Sequence, residues 1–315
     1  MKSWSFVVVS WVLVGLTACA PPRSSHVVIG AKDFTEQVVL GELLAQEIEA
    51  SGGGAVERRF WLAGSYLCQQ ALVSGRIDGY VEYTGTALTA ILKQPLDRDA
   101  ARVDATVTRL YEQWFGVWVG PGLGFEDTFA MVVRGYDARR LGLRTISDVV
   151  RVDKPGSENP DSGHPDSRHD TETGGPISWL GVGYEFAERP DGLRGLMAAY
   201  GLRFEGEPRT MELGLLYRAL AGRQVDIVAG NSTDGAIKAL DFVALEDDRH
   251  YFPPYGAVPL VREESLKKWP QIGVAMTRLA GKVTAEEMRA MNLAVEAQHR
   301  DVGDVVREFR ARKGL

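Results

Sequence analysis

Two cysteines and five histidines are spread over 315 residues. That excludes a disulfide framework, and no Cys/His spacing suits a metal site. No nucleophile stands beside a base, so an enzyme is not expected and no cofactor is called for. Basic clusters are also missing. The net charge is −6 and the sequence pI ≈ 5.5, which argues against nucleic acid as a partner. Apart from one N-terminal stretch, no long apolar run exists, which excludes a permease-type membrane domain. That stretch, Phe6 to Thr17, is short for a membrane span and follows Lys2, as in a secretory signal.

What is present begins there. Leu16-Thr17-Ala18-Cys19 resembles the bacterial lipobox, whose cysteine becomes the lipidated mature N-terminus. The competing reading is an ordinary cleaved signal with a chance cysteine. Ala20 to Ser25 then serves as a tether. Cys68 lies on the apolar face of a helix and reads as a buried small hydrophobe.

The chain is organised around Ala71–Thr86, ALVSGRIDGYVEYTGT. A helix ends at Gly75, a C-cap glycine, and a short strand runs out through Ile77, Tyr80 and Val81. Its exit, Glu82 to Thr86, groups a tyrosine ring, two hydroxyls and Gly85. Strand exits are where α/β proteins bind ligands, and these groups suit a small polar or zwitterionic one. Ala219–Gly235, ALAGRQVDIVAGNSTDG, repeats the pattern, with Asp78 and Asp226 at the same distance from the alanine. The pair implies one device used in each of two similar lobes facing a shared cleft. Both aspartates read as structural, and Asp234 as a helix cap.

In order, a strand at His26–Gly30 leads through Lys32-Asp33-Phe34 into a helix from Thr35, its expected N-cap, to about Ala50. Gln37 in its first turn is either a donor to an anionic group or a plain exposed residue. A strand at Val56–Leu62 and the helix carrying Cys68 complete a β-α-β-α-β order, the pattern of a parallel sheet. A helix is expected at Ala101–Phe115, a lobe boundary at Trp118–Phe125, and a strand at Thr128–Arg134 with Phe129 at its entrance. Residues 153–175 are poor in large apolar groups and read as a disordered insertion, despite His164 and His169. Helices to Tyr200 and Ala221, strands at Val225–Ala229, Asp241–Leu245 and Ala257–Val261, and four C-terminal helices follow. The expected lobes are 27–120 with 236–315, and 121–235.

Longer motifs then match a family. IGAKDFTEQVVLGELLAQ (Ile29–Gln46), the Ala71–Thr86 stretch, DTFAMVVR (Asp127–Arg134), Thr233–Gly235, LEDDRHYFPPYGAVPLVR (Leu245–Arg262) and MRAMNLAV (Met288–Val295) resemble those of substrate-binding lipoproteins of ABC importers for osmoprotectants. The resemblance implies an α/β two-lobed periplasmic-binding-protein fold (type II), closing on glycine betaine, choline, carnitine or proline betaine. It implies an aromatic cage at Tyr83, Phe129, Asn231 and Tyr255, with Gln37 and Thr86 on the carboxylate. Ring faces hold a quaternary ammonium at roughly 0.5–2 kcal/mol per contact. The competing reading makes Tyr83 and Tyr255 ordinary half-buried rings, and Thr86 a helix cap. Where the family has tyrosine, this chain has Phe129 and Asn231; where it has asparagine, this chain has Asp33. These departures imply a weaker cage and a ligand with a hydrogen-bonding or less methylated amine. The implied partners are an ABC permease, an ATPase and, through Cys19, a membrane. A monomer in the cell envelope is expected, and a receptor feeding a membrane sensor is the rival role.

Overall fold

The computed structural model describes residues 25–152 and 177–315. The lipidation site expected at Cys19 and the insertion expected at 153–175 lie outside these residues. The chain opens with β1 (Val27–Gly30), α1 (Thr35–Ala50), β2 (Val56–Arg59), α2 (Ser65–Val73) and β3 (Gly79–Tyr83). Phe34, in extended geometry, takes the N-cap position of α1, and Thr35 is the first helical residue. Past β3, a single helical turn, α3 (Thr84–Thr86), passes directly into a π-helical turn over Ala87–Ile91. Next come α4 (Ala100–Phe115), capped by Asp99, and β4 (Val117–Val119).

The second lobe runs β5 (Phe129–Arg134), α5 (Gly135–Leu141), α6 (Ile146–Val152), β6 (Leu180–Val182), α7 (Tyr184–Glu188), α8 (Leu193–Tyr200), β7 (Arg209–Thr210), α9 (Leu213–Ala221), β8 (Ile227–Asn231), α10 (Gly235–Ala239) and β9 (Phe242–Leu245). The chain returns through β10 (Ala257–Arg262) to α11 (Glu263–Lys268), α12 (Gln271–Leu279), α13 (Ala285–Glu296) and α14 (Val302–Lys313). The expected return at 236 comes later. β9 pairs with β5, so residues 242–245 belong to the second sheet.

There are two five-stranded sheets, β2-β1-β3-β10-β4 and β7-β6-β8-β5-β9. The β-α-β-α-β segment accounts for the parallel strands β2, β1 and β3. β10 then adds an antiparallel partner to β3, so the sheet is mixed. The C-terminal helices pack on α1, where Val39, Leu40, Leu43, Leu44 and Ile48 are buried. Thr284 makes a full capping box with Glu287, and Asp301 accepts from the Asp304 amide at 3.0 Å. Cys68 is buried, and burial pushes its thiol up to about 12.

The repeated device is real in three dimensions. After α2 the amides of Gly75 and Arg76 reach back to Leu72 and Ala71 at 3.0 and 2.8 Å; after α9 those of Arg223 and Gln224 reach Leu220 and Ala219 at 3.3 and 2.9 Å. Asp78 then accepts from the Val28 amide at 2.9 Å, and Asp226 from those of Ser178 and Trp179 at 3.1 and 3.0 Å. Each aspartate thus ties the start of one strand to its neighbour.

Two segments connect the lobes. Leu123 to Asp127 runs antiparallel to Tyr255 to Ala257, with amide–carbonyl bonds Leu123–Ala257, Ala257–Phe125 and Asp127–Tyr255 of 2.9, 3.1 and 3.2 Å. Gly85 lets Tyr255 approach: a Cβ there would meet the Tyr255 ring and the Pro254 carbonyl at 2.7 Å.

Candidate ligand-binding site

Both sheets deliver strand ends to one cavity of about 340 Å³ between the lobes. Tyr83 is the last residue of β3 and Thr86 follows in α3; Tyr255 precedes β10. From the other lobe, Phe129 opens β5 and Asn231 closes β8, directly opposite in the antiparallel register. All five line the cavity, as does Asp33. Five of the six expected ligand residues are therefore brought together. Gln37 is not. It is buried on α1 beside the Tyr83 hydroxyl, under the cavity rather than in its wall.

The ring faces already meet cations of the protein itself. The Arg189 guanidinium lies 4.8 Å from the centroid of Phe129 and 5.7 Å from that of Tyr255. Lys32 Nζ lies 4.8 Å from that of Tyr83. The aromatic side is further walled by Phe186, edge-on to Phe129 at 4.8 Å. What the motifs implied as a cage of ring faces is thus a mixed wall of rings and held cations.

Arg189 connects the lobes. Its Nε and Nη2 grip Asp191 at 2.9 and 2.5 Å, and its Nη1 donates to Thr86 Oγ1 at 2.8 Å. Tyr255 donates its hydroxyl to Asp191 at 2.5 Å. The Arg189–Asp191 pair of the second lobe is therefore hydrogen-bonded to two residues of the first. Hydrogen bonds and charge from Arg189 outweigh burial and hold the Asp191 carboxyl below its ordinary range. Arg189 lines the cavity, and a guanidinium carries five N–H donors, so it can present N–H groups to a carboxylate beside Thr86.

Across the cavity mouth, Glu185 on α7 accepts from the Ser65 amide at 2.6 Å, at the N-terminus of α2. On the inner side stands Asp127, which is buried. Beneath it, Tyr83 donates to Glu36 Oε1 at 2.7 Å; Thr233 Oγ1 donates to Glu36 Oε2, and so does Asn292 at 2.9 Å. Burial outweighs these donors and raises the Glu36 carboxyl to about 7.

Sequence reasoning missed Arg189, Asp191, Glu185, Glu36 and Asp127 as site residues. Asp127 and Glu36 stood within recognised motifs as unremarked members. Arg189 and Asp191 sit in Ala187-Glu188-Arg189-Pro190-Asp191, a polar turn with no periodicity, and no sequence signal marks them as buried.

A family model described as the substrate binding domain of an ABC-type glycine betaine transport system matches residues 25–312. The glycine-betaine-binding protein of Pseudomonas aeruginosa is 32% identical over 297 residues, covering 94% of this chain and 90% of the relative. An ergothioneine transport permease/ergothioneine binding protein of Helicobacter pylori is 32% identical over 291 residues; 91% of this chain aligns with 48% of that protein, so the chain spans about half of it. Among solved structures, a glycine betaine/carnitine/choline ABC transporter protein superposes with a TM-score of 0.72 at 27% identity, over 91% of this chain and 98% of the other. The two-lobed α/β architecture, the cavity between the sheets and these matches agree: the chain belongs to the family of substrate-binding domains of ABC-type glycine betaine transport systems.

Proposed function

We propose that this chain captures a small zwitterion of the betaine type, with its carboxylate against Arg189 and Thr86 and its cationic head against Tyr83, Asn231 and Asp127. The observation that carries the reading is a cavity with aromatic walls and one buried guanidinium. A methylated ammonium makes no strong hydrogen bonds, so ring faces and carboxylates are what attract it. A carboxylate needs N–H and O–H donors, which Arg189 and Thr86 supply. Carrying contacts from both lobes, the ligand favours the closed state. Delivery is to an ABC permease with its ATPase. The protein is a non-enzymatic monomer held at a membrane of the cell envelope by lipid on Cys19.

A second reading is a larger betaine with a heterocyclic side chain. The cavity continues past the rings to Tyr66, Tyr184, Glu185, Met211 and Leu213, and the Helicobacter relative is an ergothioneine binding protein. A thermal-shift screen separates the readings. Its panel is glycine betaine, proline betaine, choline, carnitine, ergothioneine and less methylated amine zwitterions. Ligand at a hundredfold over Kd adds roughly 2.7 kcal/mol of stability. The main reading expects small betaines to shift the melt, and the second expects ergothioneine to shift it more. Silence across the whole panel overturns both.

A further inference from the structure

Buried and half-buried carboxylates around this cavity fall into two groups. Glu82 and Asp191 are both fully buried, and each has its own cation, Lys32 and Arg189. Glu36 and Asp127, which are buried, and Asp234 and Glu296, which are half-buried, have none: among the described residues, no ion pair includes any of them. Burying a carboxylate without a cation is unfavourable, so such a group keeps its proton or finds a partner. Burial, then the charges of Glu36 and Asp234, push Asp127 well up. Burial also raises Asp234, and Glu296 to about 7.

Only Asp127 of the four lines the cavity. Its Oδ1 accepts from the Thr233 amide at 3.2 Å and from Ser232 Oγ at 3.3 Å. Thr233 also donates to Glu36, so one residue of the second lobe bridges the two carboxyls. Tyr83, in the same cavity wall, donates to Glu36 from the first lobe. A cation entering between Tyr83 and Phe129 therefore meets an acid pair that the fold has left without a positive partner.

We propose that Asp127 is the counter-charge to the ligand's cationic head, and that seating this head drives one proton from the Asp127–Glu36 pair into solvent. This rests on the betaine reading above and adds a specificity residue and a proton linkage to it. The ligand's positive charge favours the ionised pair, so affinity rises with pH until the pair is ionised without ligand. The groups facing the pair on every side fit this direction. They are Tyr83 on β3, Asn292 and Glu296 on α13, Thr233 and Asp234 before α10, and Tyr217 on α9, whose hydroxyl donates to Asp234 at 2.6 Å. The nearby cations are engaged elsewhere: Lys32 with Glu82, and Arg289 with the Ser232 carbonyl at 3.3 Å.

Calorimetric titration of the mature chain with glycine betaine and with choline, in phosphate and in Tris at pH 7, tests this. The measured enthalpy should differ between buffers in the sense of proton release, and affinity should tighten from pH 6 to pH 8, at most about tenfold per unit. Asp127→Asn should abolish the buffer dependence and weaken choline at least about tenfold. Glu36→Gln should reduce the released proton and flatten the rise of affinity between pH 6 and pH 8. Binding with equal enthalpies in both buffers and a flat pH profile overturns the proposal and leaves the betaine reading standing. No binding by glycine betaine, choline or any other member of the thermal-shift panel overturns the betaine reading, and the proposal falls with it.

Discussion

Arg189 shows how one residue can serve fold and site together. Its guanidinium is buried against Asp191, lies near the Phe129 and Tyr255 rings, and is bonded to Thr86 across the cleft. Removing one partner of a buried pair leaves the other uncompensated, typically at 3–5 kcal/mol. Arg189→Ala should therefore lower stability by about that amount, read by urea unfolding. The double variant Arg189→Ala, Asp191→Asn should recover most of that loss but none of the lost carboxylate-ligand affinity. Recovery of both would place Arg189 in the scaffold alone. At this scale the sequence was most legible where a residue ends a strand. Tyr83, Thr86, Phe129, Asn231 and Tyr255 were all expected in the site and all line the cavity. Arg189 was not, because its burial depends on contacts with Thr86 and Tyr255, more than sixty residues away in sequence. Gln37 was expected to face the ligand, but the first turn of α1 is covered by the C-terminal helices.

At the scale of elements, the two helix endings differ in one telling respect. After α2 the left-handed position is filled by Gly75 at φ +72°; after α9 it is filled by Arg223 at φ +54°. A side chain in this conformation costs roughly 1–2 kcal/mol, while glycine there costs only chain entropy. Arg223→Gly should thus raise stability by about 0.5–1 kcal/mol, and Gly75→Ala should lower it by about 1 kcal/mol. Thermal melts of the two variants check this, and equal effects of one sign would show that the endings are not equivalent in energy. The Ala-to-Asp spacing made the repeat visible, since the closing turn and the strand start both need a fixed number of residues. The antiparallel strands β10 and β9 were visible as strands but not as partners. Pairing with β3 or β5 is decided by packing, so the chain's return to the first lobe was placed too early.

For the whole molecule, the acid cluster at the lobe crossing sets a pH dependence. Glu36 and Glu296 have their carboxyls raised from 4.5 to about 7, chiefly by burial. The folded state then binds more protons than the unfolded chain across that window. Their contribution to stability is complete below about pH 4.5 and is lost as pH rises through about 7. Carboxyls held low by arginine, such as Asp191, act only on the acid side of this window. Urea unfolding of the ligand-free protein from pH 5 to pH 8 should show falling stability, with a smaller fall in Glu36→Gln. A rise over that range would refute the assignment.

The sequence by itself determined most of the longer elements, the two-lobed plan and the strand ends that meet in the cleft, but not the short strands β4, β6 and β7. Apolar periodicity, caps and turn residues act within a few residues and are written locally. The partners of the buried charges were decided only by the tertiary structure. Lys32 with Glu82, Arg189 with Asp191, and Glu36 and Asp127 with no cation are outcomes of which side chains folding shuts away from water together. An ionised group tolerates burial according to what surrounds it in space, and no local pattern along the chain records that.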